Sequence, residues 1–121
     1  EELRDPDRVK VLERTEPEEL SRAVSTETAQ ELTAMMVEVV ENGTGQNGQL
    51  DGIQVAGKTG TAQTTPERPP YAWFTSFAPA DDAQIAVAVV IDEAPDTARD
   101  DIAGGRLAAP VAKAVMEAVL G

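Results

Sequence analysis

Three strand-like segments follow one another with connections too short for anything but antiparallel pairing. Residues 53–64 alternate small, β-branched and glycine residues, and residues 71–78 carry Trp73, Phe74 and Phe77. Residues 84–91 end in the apolar run Ile85 to Ile91. The stretch 65–70, with Pro66, Pro69 and Pro70, reads as a loop, and Ala80-Asp81-Asp82-Ala83 as a turn. Parallel neighbours would need helical crossovers of about a dozen residues or more. The spacing therefore predicts a three-stranded antiparallel meander inside an α+β fold.

Helices are expected on either side of it. Ser25 is a good N-cap, with Glu27 in the first turn, and the helix runs to about Asn42. Ala29, Leu32, Met36 and Val39 recur at helical steps and predict one buried stripe; Gly43 is the expected C-cap residue. A final helix spans about 104–120, with Leu107, Val111, Val115 and Val119 on one face, and Pro110 either kinks it or sits in its first turn. Residues 43–48 and 92–101 read as loops. The apolar third strand is expected to be covered on both faces. Residues 1–16 read as a hairpin remnant, with Asp5-Pro6-Asp7 as its turn and Val9 and Val11 alternating with polar residues. The resulting division is 1–24, hairpin and linker, and 25–121, helix, meander and helix. A start at Glu1-Glu2-Leu3 suggests a processed product or a fragment.

Composition removes several function classes. The net charge is -12, from 10 Lys+Arg against 22 Asp+Glu, which disfavours nucleic acid and anionic lipid surfaces as partners. No histidine or cysteine is present, so the chain holds no Ser-His-Asp triad, thiol nucleophile, thiolate or imidazole metal site, or disulfide. No EF-hand spacing occurs, and neither a metal nor a cofactor is expected. The run Ile85 to Ile91 is far short of the roughly 20 residues that span a bilayer.

The chemistry-bearing stretch is Val55-Ala56-Gly57-Lys58-Thr59-Gly60-Thr61-Ala62-Gln63. A glycine within a strand marks close approach of something to the backbone, and a lysine beside hydroxyl groups suits an anionic ligand. Two motif matches compete for the same region. Residues 43–48 fit G-x-G-x-x-G, but they follow a helix instead of opening one, as a dinucleotide site requires. Residues 52–59 fit the P-loop pattern G-x-x-x-x-G-K-[ST], with Asp92-Glu93 after an apolar strand imitating its acidic partner. A P-loop needs a buried strand before it and a helix opening at its Lys-Thr, with N-terminal N–H groups on the phosphate. Here Gly, Asn and Gln precede the motif, and Gly60-Thr61-Ala62-Gln63-Thr64-Thr65-Pro66 is a poor helix start.

The third match is K-T-G, which closes the motif set of β-lactamases and penicillin-binding proteins. Alone it arises by chance in about one chain in a hundred of this length. Its surroundings add specificity. Gly57-Lys58-Thr59-Gly60-Thr61-Ala62, the strand Ala72-Trp73-Phe74-Thr75-Ser76-Phe77-Ala78-Pro79, the strand ending Val89-Val90-Ile91 and Gly104-Gly105-Arg106-Leu107-Ala108-Ala109-Pro110-Val111 come in that order. Together they resemble the C-terminal part of the transpeptidase domain of high-molecular-weight, class B penicillin-binding proteins. Met35 to Val40 and Gly43-Thr44-Gly45 resemble the segment before that family's K-T-G strand, so the resemblance covers residues 20–121.

The resemblance implies part of the serine β-lactamase/penicillin-binding transpeptidase fold, with helices on the faces of an antiparallel sheet. It also implies a D,D-transpeptidase that cross-links peptidoglycan peptide stems and binds β-lactams. Substrate would lie along the K-T-G strand like an added strand. Lys58 would supply positive potential for the substrate's terminal carboxylate and join the network around the second motif's serine. Thr59 and Thr61 would offer hydroxyls to that carboxylate, the Thr61 N–H would be an oxyanion donor, and Gly60 would leave room for substrate. Tyr71 and Trp73 are candidates for the wall of the site, with packing in the core or hairpin the preferred assignment. Arg106 either reaches the cleft or is a solvated charge.

One departure limits the resemblance. No S-x-x-K or S-x-N occurs: Ser21, Ser25 and Ser76 are followed three positions on by Val24, Thr28 and Pro79. The nucleophile, its lysine and the second oxyanion donor are expected in an N-terminal part of the protein, on this chain or another, together with the membrane anchor of an extracytoplasmic enzyme. The fragment alone is expected to be inert and to expose faces that its other half covers. A non-catalytic penicillin-binding-like sensor or scaffold is the alternative. Intact S-x-x-K and S-x-N elements upstream would select the enzyme, and their loss the binding module.

Overall fold

In the computed structural model, residues 2–5, 10–14, 16, 18–63 and 65–121 are described. Strands β1 (Glu2–Asp5) and β2 (Lys10–Arg14) pair antiparallel in a sheet of their own, from Glu2 opposite Arg14 to Asp5 opposite Lys10. The expected turn at Pro6-Asp7, and Val9, lie outside the described residues.

Helix α1 (Thr26–Glu41) starts where Ser25 Oγ accepts from the Thr28 N–H at 3.2 Å. It ends at Asn42, whose N–H donates to Glu38 O at 2.9 Å, so the cap is Asn42 and Gly43 follows it. A Cβ on Gly43 would lie 3.0 Å from the Val39 backbone, a tight approach. The expected stripe is only half buried. Ala29 and Leu32 are exposed, Met36 and Val39 are half-buried, and the one buried residue of the helix is Val40. Packing comes from the C-terminal turns against the sheet, and nothing among the described residues covers the first turns.

A short 3-10 turn, Gln46–Gly48, leads to the meander β3 (Ala56–Ala62), β4 (Tyr71–Ala78) and β5 (Ile85–Ile91), all antiparallel in the order β3-β4-β5. The ladder begins at Ala56, later than expected. Ile53 instead bridges Leu50 across a turn at Gly52, whose φ is +73°, and Val55 drops into the core. Thr64, the expected end of β3, lies outside the described residues.

Pairing register decides what each face shows. Lys58 lies opposite Thr75 and Gly60 opposite Trp73, which in turn lies opposite Val90. These share one face, and it is open: Trp73 is 40 % exposed and Val90 47 % exposed. Thr59 lies opposite Phe74 and Thr61 opposite Ala72, on the other face, together with buried Ser76 and Ala78. Helix α2 (Gly104–Leu120) covers that second face only. Among the described residues β5 is therefore covered on one face only, and Trp73 stands outside the buried core, on the open side of the hairpin.

The buried stripe of α2 is Gly104, Gly105, Ala108, Ala109, Ala112 and Met116, whereas Val111, Val115 and Val119 point away. Small residues win the contact because the helix's first turn touches the sheet backbone. A Cβ on Gly104 would lie 1.9 Å from Trp73 O, and one on Gly105 the same distance from Thr44 O. Farther along the helix there is room for Met116, whose sulfur accepts from Ser76 Oγ at 3.5 Å. Pro110 lies in the helix interior, beyond the first turn, with its ring exposed.

The fully buried Phe74 ring sits where three glycines leave space. Added Cβ atoms at Gly45, Gly48 and Gly57 would come within 3.2, 2.8 and 2.7 Å of it. In the full-length natural protein, Gly57→Ala is expected to cost about 1–3 kcal/mol through overpacking. Gly60→Ala, where the nearest contact is 3.3 Å from Trp73 Cβ, should cost less. Denaturant midpoints that fall equally for both variants would refute this account of the packing.

Candidate active site

Lys58, Thr59, Gly60 and Thr61 lie mid-strand in β3, which forms one edge of the sheet. No helix opens at Lys58-Thr59, so the P-loop geometry is absent, and residues 43–48 are a helix-to-strand connection. The two hydroxyls and the lysine leave β3 on opposite faces. The Lys58 ammonium folds back on the strand to donate to Thr59 O at 2.6 Å.

Thr59 and Thr61 face a cavity of about 390 Å³, lined also by Thr44, Asn47, Gly60, Ala103, Gly104, Gly105 and Arg106. Its walls come from three parts of the chain: the connection after α1, the strand, and the first turn of α2. Two polar contacts join them. Thr44 Oγ1 lies 2.7 Å from Thr59 Oγ1, and Asn47 Nδ2 donates to Gly105 O at 2.8 Å.

Electrostatically the cavity is at odds with the chain around it. Its lining contains no carboxylate, although the chain carries a net charge of -12. The α2 N-terminus has no side-chain cap, so the positive end of the helix dipole faces the cavity. Arg106 lies at the rim, ion-paired with Asp101. Hydroxyls, a side-chain amide and a helix N-terminus together suit a small anion such as a carboxylate. Among the described residues no group of His, Cys, Asp and Glu has metal-binding geometry, and no helix is long and apolar enough to cross a membrane.

Trp73 stands beside Gly60 on the exposed face, and Tyr71, opposite Ala62, is half-buried. Reading the sequence missed Thr44, Asn47 and Arg99. Asn47 and Thr44 lie in a stretch that reads as a loop, and no residue type or spacing there points to contacts with β3 or α2. Arg99 begins a 3-10 turn (Arg99–Asp101) just before α2 and spreads its guanidinium over the β3–β4 loop. It donates to Gln63 Oε1 at 3.2 Å, to Thr65 O at 3.4 Å, to Pro66 O at 3.3 Å and to Arg68 O. One side chain thereby ties the loop after the K-T-G strand to the segment that enters the cavity rim.

Comparison with known proteins agrees with this geometry. The family model for the penicillin binding protein transpeptidase domain matches residues 2–117. Peptidoglycan D,D-transpeptidase PbpA of Mycolicibacterium smegmatis is 44 % identical over 123 residues, which cover 99 % of this chain and 24 % of that protein. PbpA of Mycobacterium tuberculosis is 46 % identical over 102 residues, covering 82 % of this chain and 20 % of that protein. A crystal structure of PBPA from M. tuberculosis superposes with a TM-score of 0.72 at 39 % identity, covering 99 % of this chain and 28 % of that one. Its ceftriaxone acyl-enzyme complex gives 0.74 at 38 % identity, covering 99 % and 27 %. The chain thus spans about a quarter of the M. smegmatis relative's length.

Arg99→Ala in the full-length protein should speed exchange of the Arg68 amide, which donates to Thr65 O at 3.1 Å, by about tenfold or more, as charged hydrogen bonds that hold the loop are lost. Exchange in the middle of α2 should stay as it is. An unchanged loop would show that Arg99 does not hold it.

Proposed function

The chain belongs to the penicillin-binding protein transpeptidase family, and we propose that it is the C-terminal part of a peptidoglycan D,D-transpeptidase, one wall of an active site whose nucleophile lies elsewhere in the protein. Residues 25–121 are the C-terminal portion of the transpeptidase domain, and residues 1–24 a hairpin and linker. The whole enzyme works outside the cytoplasmic membrane, held by an N-terminal anchor. It cross-links peptide stems and takes β-lactams as mimics of them. The rest of the polypeptide covers the sheet face that bears Trp73 and Val90.

The observation that carries this reading is a carboxylate-free cavity in a strongly acidic chain, lined by Thr59 and Thr61 of an edge strand. An extended peptide adding to that edge brings its terminal carboxylate to those hydroxyls. Lys58 adds positive potential at the same edge, where its ammonium meets the Thr59 carbonyl.

Backbone direction supports the oxyanion role. Gly60 O and Trp73 O lie together at the β3–β4 seam, 2.9 and 1.9 Å from the position of a Cβ on Gly104. Amide groups alternate in direction along an antiparallel strand, so those of Thr59 and Thr61 point to the free edge. A serine from the remainder of the protein attacks the carbonyl carbon of the penultimate D-alanine there. Negative charge then builds on the carbonyl oxygen, and the Thr61 N–H stabilises it. The proton lost by serine passes to the leaving amine, free D-alanine departs with the acyl group left on serine, and an amine of a neighbouring stem then attacks the ester, takes the acyl group and returns a proton to serine.

Acylation of the full-length protein by a fluorescent penicillin tests the assignment. Lys58→Met and Thr59→Val should each lower the second-order acylation rate constant by about 10–100-fold, the loss of a hydrogen bond to a charged group. The chain by itself should take up no covalent label. A labelled isolated chain, or a Lys58→Met variant acylated like the wild type, would overturn the reading.

A further inference from the structure

We propose that Thr44 is a positioning residue for Thr59, holding its hydroxyl proton toward the substrate carboxylate. This rests on the carboxylate-binding role given to Thr59 above. The two hydroxyl oxygens are 2.7 Å apart, an ordinary O–H···O hydrogen bond in which a single proton lies between them. A hydroxyl has one proton to give and two lone pairs, whereas a carboxylate only accepts. If Thr59 donates to substrate, its proton is committed, and the proton in that contact must come from Thr44. The chain of donation then runs from Thr44 to Thr59 to carboxylate, and each bond polarises the next.

The surroundings hold Thr44 where this relay needs it. Gly45 N–H donates to Val39 O at 2.9 Å, anchoring the connection to the end of α1. On the other side, a Cβ on Gly105 would collide with Thr44 O at 1.9 Å, so the Thr44 backbone is pressed against the first turn of α2. Asn47 closes the same gap through its bond to Gly105 O. Thr59 is confined as well, being β-branched and packed with its methyl group beside Gly105. Thr44 itself is exposed, so removing its hydroxyl leaves the core untouched.

The test is a double-mutant cycle in the full-length protein, reading acylation by benzylpenicillin, which carries the carboxylate, and resolving pre-acylation affinity from the acylation step. Thr44→Val should weaken affinity by about three- to tenfold, the worth of a neutral hydrogen bond, with little change in the acylation step. Thr44→Ser, which keeps the hydroxyl, should restore wild-type affinity, and thermal midpoints should match throughout. In a Thr59→Val background, Thr44→Val should have no further effect, since there is no hydroxyl left to orient. Additive losses in the double variant, a Thr44→Ser protein as weak as Thr44→Val, or a Thr44→Val protein that binds normally beside a weak Thr59→Val would each overturn the proposal. Normal affinity in Thr59→Val would instead remove the carboxylate reading of β3, and this inference with it.

Discussion

The Phe74 ring occupies a space that Gly45, Gly48 and Gly57 leave free, and two of the three segments that build the site converge on it. Gly57 belongs to β3, while Gly45 and Gly48 belong to the connection after α1. Burying an aromatic side chain contributes about 1.5–3 kcal/mol, and here the gain requires strand and connection to close on the same ring. Once they have closed, Thr44 and Thr59 are side by side, although fifteen residues separate them in the chain. The polar contact at the cavity wall is thus set by apolar packing one residue from Thr44 and two from Thr59.

Helix α2 completes the arrangement from the other side. Its two leading glycines bring a helix N-terminus against the strand backbone, closer than any side chain would permit. The same contact lines the cavity with main-chain groups in place of the carboxylates that cover the rest of the chain. A positive helix end and two hydroxyls need no net positive charge nearby to hold an anion. Hydrogen bonds from Arg99 and the Arg106–Asp101 pair tie the segment that leads into this helix to the loop after β3 and to the cavity rim.

The meander was legible because connection length restricts pairing, the first helix because Ser25 and Gly43 bracket it, and the second because its apolar residues recur at helical steps. The faces of the helices were not. Hydrophobic periodicity points to Val111, Val115 and Val119 as the inward side of α2, yet close approach to a sheet selects for small size, and Gly104, Ala108 and Ala112 take the contact. Leu32 and Trp73 stay open for a related reason: the periodic pattern records what a side chain prefers to bury against, and does not say whether that surface is on the same stretch of chain. At the site, Lys58, Thr59, Gly60 and Thr61 were identifiable from strand character and residue type. Thr44 and Arg99 act through contacts distant in sequence, to which no local pattern points.

Leaving β3 at the edge of its sheet has a consequence for solution behaviour. A row of unpaired amide groups able to receive an extended peptide is equally able to receive the edge of a neighbouring molecule. Natural sheets discourage such self-association with charge on the edge, lysine above all, and with residues of low strand propensity such as glycine. Lys58 and Gly60 sit at that edge, where two copies approaching through it would have to desolvate both ammonium groups. The features that admit a ligand strand also make the edge a poor template for polymerisation.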